Sequence, residues 1–77
     1  MDKHLEMMKI EKQELGVRLK RLNDFIDEEV ALPYDMRKID QVQYNLLSKQ
    51  AKAMEEYYIT LCKRIKYDEE KKKNARK

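Results

Sequence analysis

The sequence predicts an all-α fold: an antiparallel two-helix hairpin, coiled-coil-like, that assembles into a helical bundle oligomer. Two segments of nearly equal length carry apolar residues in alternating steps of three and four, which places each set on one face of an α-helix. The only proline of the 77 residues, Pro33, lies between the two segments. With one glycine and one proline in total, the chain also lacks the turn residues that a β-rich fold needs.

The first helix is predicted over residues 3–30. Pro33 ends it because the proline ring pushes Leu32 out of helical geometry. Gly16 lies in mid-helix, where it costs roughly 1 kcal/mol relative to alanine; sequence drift and the close approach of another helix or a ligand are equally good explanations. The apolar seam of this helix is formed by Leu5, Met8, Lys12, Leu15, Leu19, Leu22 and Ile26.

A connection over residues 31–39 precedes a second helix over residues 41–68, so that residues 1–68 form the hairpin and residues 69–77 a charged tail. Asp40 with Gln43 three residues later has the spacing of a helix-starting capping box. In the connection, Leu32, Tyr34 and Met36 are expected to fold back over the end of the hairpin. The seam of the second helix is formed by Tyr44, Leu47, Ala51, Met54, Tyr58, Leu61 and Ile65.

A second set of apolar residues lies off both seams. A hairpin needs only one apolar stripe per helix, so a second stripe requires another cover. Self-association into a four-helix or larger bundle is the simplest cover. The predicted oligomer interface consists of Ile10, Val17, Phe25, Leu46, Ala53 and Cys62.

The composition argues against an enzyme. The single Cys62 excludes an intrachain disulfide, and one cysteine with one histidine, His4, cannot build a zinc site in one chain. Neither residue has an evident orienting partner for catalysis. We therefore expect no catalytic residues, no metal and no cofactor.

Charge is distributed unevenly along the chain. Residues 1–40 carry eight basic and ten acidic side chains, whereas residues 41–77 carry ten basic and five acidic ones. The basic excess is either a solvated tail that aids solubility or a surface for an anionic partner. No signal peptide or long apolar run is present, and acids are spread along both helices, so a soluble, cytoplasmic protein is expected and a membrane partner is disfavoured.

Aromatic and basic residues alternate near the C-terminus and form the predicted ligand-binding set. Tyrosine rings stack on bases, while arginine and lysine hold phosphates. Tyr57 and Arg64 are two helical turns apart on one face, and Tyr58 is assigned to the core instead. For Tyr57, core, interface and ligand contact stay open. The predicted ligand-binding residues are Tyr57, Arg64, Arg18, Arg21 and Lys63.

Residues 11–66 resemble a family of small phage proteins related to a crAss-like phage protein. The resemblance is carried by Leu46-Leu47 followed by Gln50, by Ala53-Met54 followed by Tyr57, and by Leu61 followed by Arg64-Ile65. The first helix matches through Leu15, Leu19, Leu22 and Phe25-Ile26. The sequence departs from the family at Tyr44, where glutamine is usual, and in its long connection.

The resemblance implies a phage origin and a hairpin similar in shape to phage anti-defence sponges. The resulting hypothesis is a non-enzymatic accessory protein in the host cytoplasm. It would form a homo-oligomer and sequester a small anionic nucleotide-like immune signal at the oligomer interface. The alternative is an interaction module that inhibits a host protein through the second apolar stripe. A third, less favoured reading is a weak nucleic-acid binder that acts through the basic C-terminal region.

Overall fold

Two long helices packed against each other form an antiparallel hairpin in the computed structural model, which describes the backbone of residues 3–75 and the side chains of residues 3–73. Helix α1 spans Lys3–Ala31 and helix α2 spans Gln41–Ala75. A short 3₁₀ turn over Tyr34–Met36 lies between them, and residues 3–75 contain no strand. The predicted all-α hairpin is confirmed.

The core is a thin seam between the two helices. Leu61 is completely buried, and it forms a cluster with Leu5, Met8 and Ile65 at the end of the hairpin away from the connection. The other seam positions, Lys12 and Tyr58 among them, are only half-buried because two helices cannot enclose them fully. Within residues 3–73, every buried apolar residue lies at a predicted seam position: Leu5, Met8, Leu15, Ala51, Leu61 and Ile65.

Gly16 lies where α1 crosses closest to an aromatic ring of α2. A Cβ atom at this position would stand 3.2 Å from Cε2 of Tyr58, closer than ordinary van der Waals contact. Of the explanations for this mid-helix glycine, the structure supports the close approach of another helix.

A buried carboxylate closes the connection. Glu29 is 3% exposed, and its Oε1 accepts hydrogen bonds from the backbone N–H groups of Lys38 at 2.7 Å and Ile39 at 3.1 Å. An acidic residue at the end of a helix faces an unfavourable macrodipole. Here two N–H donors from the returning chain offset that cost and fix where the chain reverses.

Arg37 caps the C-terminal end of α1. Its Nε donates to the carbonyl oxygen of Leu32 at 3.1 Å, and its Nη2 donates to that of Val30 at 3.2 Å, so carbonyls without a helical partner are satisfied. The guanidinium carbon lies 5.6 Å from the ring centroid of Tyr34. The expectation that Tyr34 and Met36 cover the hairpin end was wrong, since they are 67% and 64% exposed and Glu29 and Arg37 close this end through the backbone.

Asp40 begins α2 as predicted. Its Oδ1 accepts a hydrogen bond from the backbone N–H of Gln43 at 2.8 Å, and its carbonyl accepts from Tyr44 at 2.9 Å. The side chain thereby satisfies one of the N–H groups that the first helical turn leaves without a partner.

Replacing Asp40 by alanine is expected to lower the free energy of unfolding by about 1 kcal/mol, because the cap is lost. Urea denaturation followed by circular dichroism measures this change. Asp35→Ala is the matched control, since the 3₁₀ turn has no side-chain cap. An equal loss in both variants would contradict a specific role for Asp40.

Helix α2 continues to Ala75, well past the predicted end at residue 68. Glutamate and lysine are strong helix formers, and the basic residues Lys72 and Lys73 lie in the last turn, where the macrodipole favours positive charge. Nζ of Lys9 also lies 3.6 Å from a carboxylate oxygen of Glu69. Arg76 and Lys77, which contribute to the basic excess, lie outside the described residues.

Candidate ligand-binding site

Three polar side chains meet on one side of the hairpin. Tyr57, which is 47% exposed, donates a hydrogen bond from its hydroxyl to Glu11 across the helix pair, and Arg64 lies close enough to act on the same phenol electrostatically. Tyr57 and Arg64 share one face of α2 because seven residues make almost two complete turns. The structure therefore brings together the two leading predicted ligand contacts and adds a carboxylate beside them.

The surroundings keep the Tyr57 phenol protonated. The hydrogen bond to Glu11, partial desolvation and the negative charge of Glu11 raise the pKa of Tyr57 above its usual value, and the positive charge of Arg64 lowers it by less. At neutral pH the phenol is thus a neutral hydrogen-bond donor with a half-exposed ring. A half-exposed aromatic ring of this kind can stack on a planar group.

Arg64 lines two neighbouring clefts, which we call the Arg64 clefts. The larger has a volume of about 460 Å³ and the smaller about 320 Å³. The smaller one also contains Lys63, so this predicted contact lies beside Arg64. The larger cleft is lined by Arg64 together with His4, Met7, Met8, Ile10, Glu11 and Glu14. The smaller cleft is lined by Arg64 together with His4, Thr60, Lys63, Tyr67 and Asp68.

The two predicted arginines of α1 lie outside both clefts. Arg18 is exposed and follows Glu11 by two helical turns on nearly the same face, about 10 Å further along the axis. Arg21 is rotated about 80° from Glu11 around the helix. Arg18 therefore lies on the same face of α1 as Glu11, whereas the structure does not bring Arg21 to the clefts.

The second apolar stripe is exposed along most of its length. Ile10, Val17 and Leu46 are 57%, 46% and 56% exposed, and Ala53 is exposed as well. Phe25 and Cys62 are half-buried within the hairpin. Nine residues separate Cys62 from Ala53, which is half a turn around α2, so Cys62 faces away from the exposed stripe.

Sequence reasoning missed two members of this stripe. Val42 and Tyr67 are both 66% exposed and lie on the same face of α2 as Leu46 and Ala53. Their spacing was a usable signal, because steps of four and seven keep residues on one helical face. We call the resulting surface the α2 row; it consists of Val42, Leu46, Ala53, Tyr57, Arg64 and Tyr67.

The described residues offer neither a metal site nor a membrane-spanning helix. Among those residues, no group of three or more histidine, cysteine or acidic side chains is placed to hold a metal ion. Neither α1 nor α2, as far as they are described, is long and apolar enough to cross a membrane.

Comparison with known proteins identifies the family. The family model described as Sequestin matches residues 2–67, which covers α1, the connection and α2 as far as residue 67. The chain belongs to the Sequestin family. That name is compatible with a sequestering role, whereas the phage origin implied by the resemblance stays a prediction. No curated protein and no solved structure matches the chain.

Proposed function

We propose that this member of the Sequestin family is a non-enzymatic phage protein that sequesters a small anionic nucleotide-like immune signal of its host. The observation that carries the proposal is the placement of Tyr57 and Arg64 on the exposed α2 row. Arg64 lines both clefts, and Tyr57 contacts Glu11 of the larger one. The family name suggests sequestering. Tyr57 would stack on the base, and Arg64 with Lys63 would hold the phosphate. Binding without chemistry is the simplest use of such a site.

The thin core and the exposed α2 row support assembly into a homo-oligomer. The α2 row extends over 25 residue steps, or about 38 Å of helix, and has no cover within the described hairpin. A second copy placed on this row would bury its apolar side chains and enclose the Arg64 clefts. The ligand would then lie where copies meet, in a site that excludes more water than one hairpin can.

The first test is thermal melting of the protein with a panel of cyclic nucleotides and NAD-derived signals. A ligand present at about 100 times its dissociation constant adds about 2.7 kcal/mol of stability, which shifts the melting temperature of a chain this small by about 10 °C or more. Arg64→Ala is expected to remove the shift, whereas Lys52→Ala, an exposed change of equal charge, preserves it. No shift with any compound would overturn the proposal.

The second test addresses assembly. Leu46→Asp places a charge in the α2 row and is expected to reduce the sedimentation coefficient to that of a monomer. Ile59→Asp is the matched control, because Ile59 is similarly exposed at 45% but lies outside the row. A wild-type protein that sediments as a folded monomer would remove the oligomer from the proposal.

The exposed α2 row also favours one alternative, inhibition of a host protein that docks on the same apolar surface. This function predicts a stable complex with that protein and no melting shift with the nucleotide panel. Leu46→Asp would then abolish the complex, while Arg64→Ala would affect it less.

A further inference from the structure

A third cleft surrounds Gly16, and it has a volume of about 640 Å³, larger than either Arg64 cleft. We call it the Gly16 groove. Both helices contribute to it, and the ring of Tyr58 lies beside the glycine. Its lining residues are Lys9, Lys12, Gln13, Gly16, Val17, Lys20, Tyr58, Ile65 and Glu69.

The groove contains Lys12, the one charged residue of the α1 seam. Lys12 occupies a seam position where an apolar residue packs better, and its side chain is half-buried. Gly16 follows one turn later and weakens the helix by roughly 1 kcal/mol relative to alanine. A charged residue in the seam is a local departure of the kind expected at functional sites, whereas the ring of Tyr58 accounts for Gly16.

Positive charge predominates in the groove, since three lysines face one glutamate. Lys9 pairs with Glu69 at 3.6 Å and Lys20 with Asp24 at 3.4 Å, but exposed pairs of this kind are weak and an anion can replace them. Lys12 forms no ion pair within residues 3–73. The larger Arg64 cleft, by contrast, contains two glutamates and one arginine.

The spacing of the lysines selects an elongated anion. Lys12 and Lys20 lie four residues before and after Gly16, so their backbone positions are about 12 Å apart along one face of the helix. Between them Gly16 contributes no side chain, and the ring of Tyr58 packs against it. A single phosphate would have to hold both ammonium groups together against their mutual repulsion, whereas a chain of phosphates offers each lysine its own anionic group.

We propose that the Gly16 groove binds a linear di- or triphosphate group, with Lys9 and Lys12 at one end and Lys20 at the other. The site is separate from Tyr57 and Arg64, because Gly16 lies about 140° around α1 from Glu11. It shares no lining residue with the Arg64 clefts.

Calorimetric titration with inorganic triphosphate at about 50 mM salt tests this site. The wild-type protein is expected to bind one triphosphate per chain saturably. The double variant Lys12→Gln/Lys20→Gln is expected to bind roughly tenfold more weakly or worse. Lys49→Gln/Lys52→Gln removes the same charge from exposed positions outside the groove and is expected to change the affinity by about twofold at most.

Absence of saturable triphosphate binding in the wild-type protein would overturn the inference. An equal loss of affinity in the two double variants would also overturn it, because it would show only diffuse electrostatic attraction. Circular dichroism checks that each variant remains helical. The nucleotide panel and the triphosphate titration separate the two proposals. If no nucleotide shifts the melting temperature but triphosphate binds saturably, only the proposal of a sequestered nucleotide is overturned. If a nucleotide shifts the melting temperature but triphosphate does not bind saturably, only the proposal of the Gly16 groove is overturned.

Discussion

Leu61→Ala is expected to leave the protein largely unfolded at room temperature. Leu61 is the one completely buried large side chain in the described part of the chain, and it packs between both helices with Leu5, Met8 and Ile65. Loss of its side chain removes apolar burial and leaves a cavity, together about 3–5 kcal/mol. A chain this small has a total free energy of unfolding of about the same size.

Urea titration monitored by circular dichroism at 222 nm measures this loss. Ile59→Ala is the matched control because Ile59 belongs to the same helix and is 45% exposed, and its loss is expected to stay within about 0.5 kcal/mol. A Leu61→Ala protein that retains its stability within about 1 kcal/mol would show that the seam is not the principal source of stability.

Glu29→Ala is expected to lower the free energy of unfolding by about 2–3 kcal/mol, because the backbone N–H groups of Lys38 and Ile39 lose their acceptor. The connection would lose the contact that fixes where the chain reverses. Glu29→Gln retains an acceptor oxygen without the charge and is expected to lose less. A free energy of unfolding that falls from glutamate through glutamine to alanine at position 29 would indicate a hydrogen-bonding role.

Glu28→Ala is the control for helix electrostatics. It removes an exposed acidic side chain at the same end of α1, where negative charge opposes the macrodipole, so stability should rise slightly or stay unchanged. Thermal melting of the three variants compares them directly. Equal behaviour of Glu28→Ala and Glu29→Ala would contradict the hydrogen-bonding role assigned to Glu29.

Much of the fold could be predicted from the sequence because periodicity is a local property. The seam positions, the break at Pro33 and the cap at Asp40 each depend on residues a few positions apart. The end of α2 was harder to predict, because its last residues include almost no apolar side chains. The helix propensity of the glutamates and lysines and the Lys9–Glu69 contact outweigh that absence.

The contacts that define the connection and the candidate site depend on the tertiary structure. Nothing in the sequence separates Glu29 from its acidic neighbours, because its burial depends on where Lys38 and Ile39 return. The hydrogen bond between Tyr57 and Glu11 likewise requires the register of the two helices. The Gly16 groove had a sequence signal in Lys12 and Gly16, but their shared cleft with Lys20 appears only when α2 is in place.

The most direct measurement of sequestration is equilibrium dialysis of the protein against the nucleotide that shifts its melting temperature. Sequestration predicts saturable retention in fixed proportion to protein and, after heat denaturation, release of a ligand with unchanged mass. Arg64→Ala should leave the nucleotide evenly distributed across the membrane. A released product of altered mass, or retention that does not saturate, would contradict a sequestering protein.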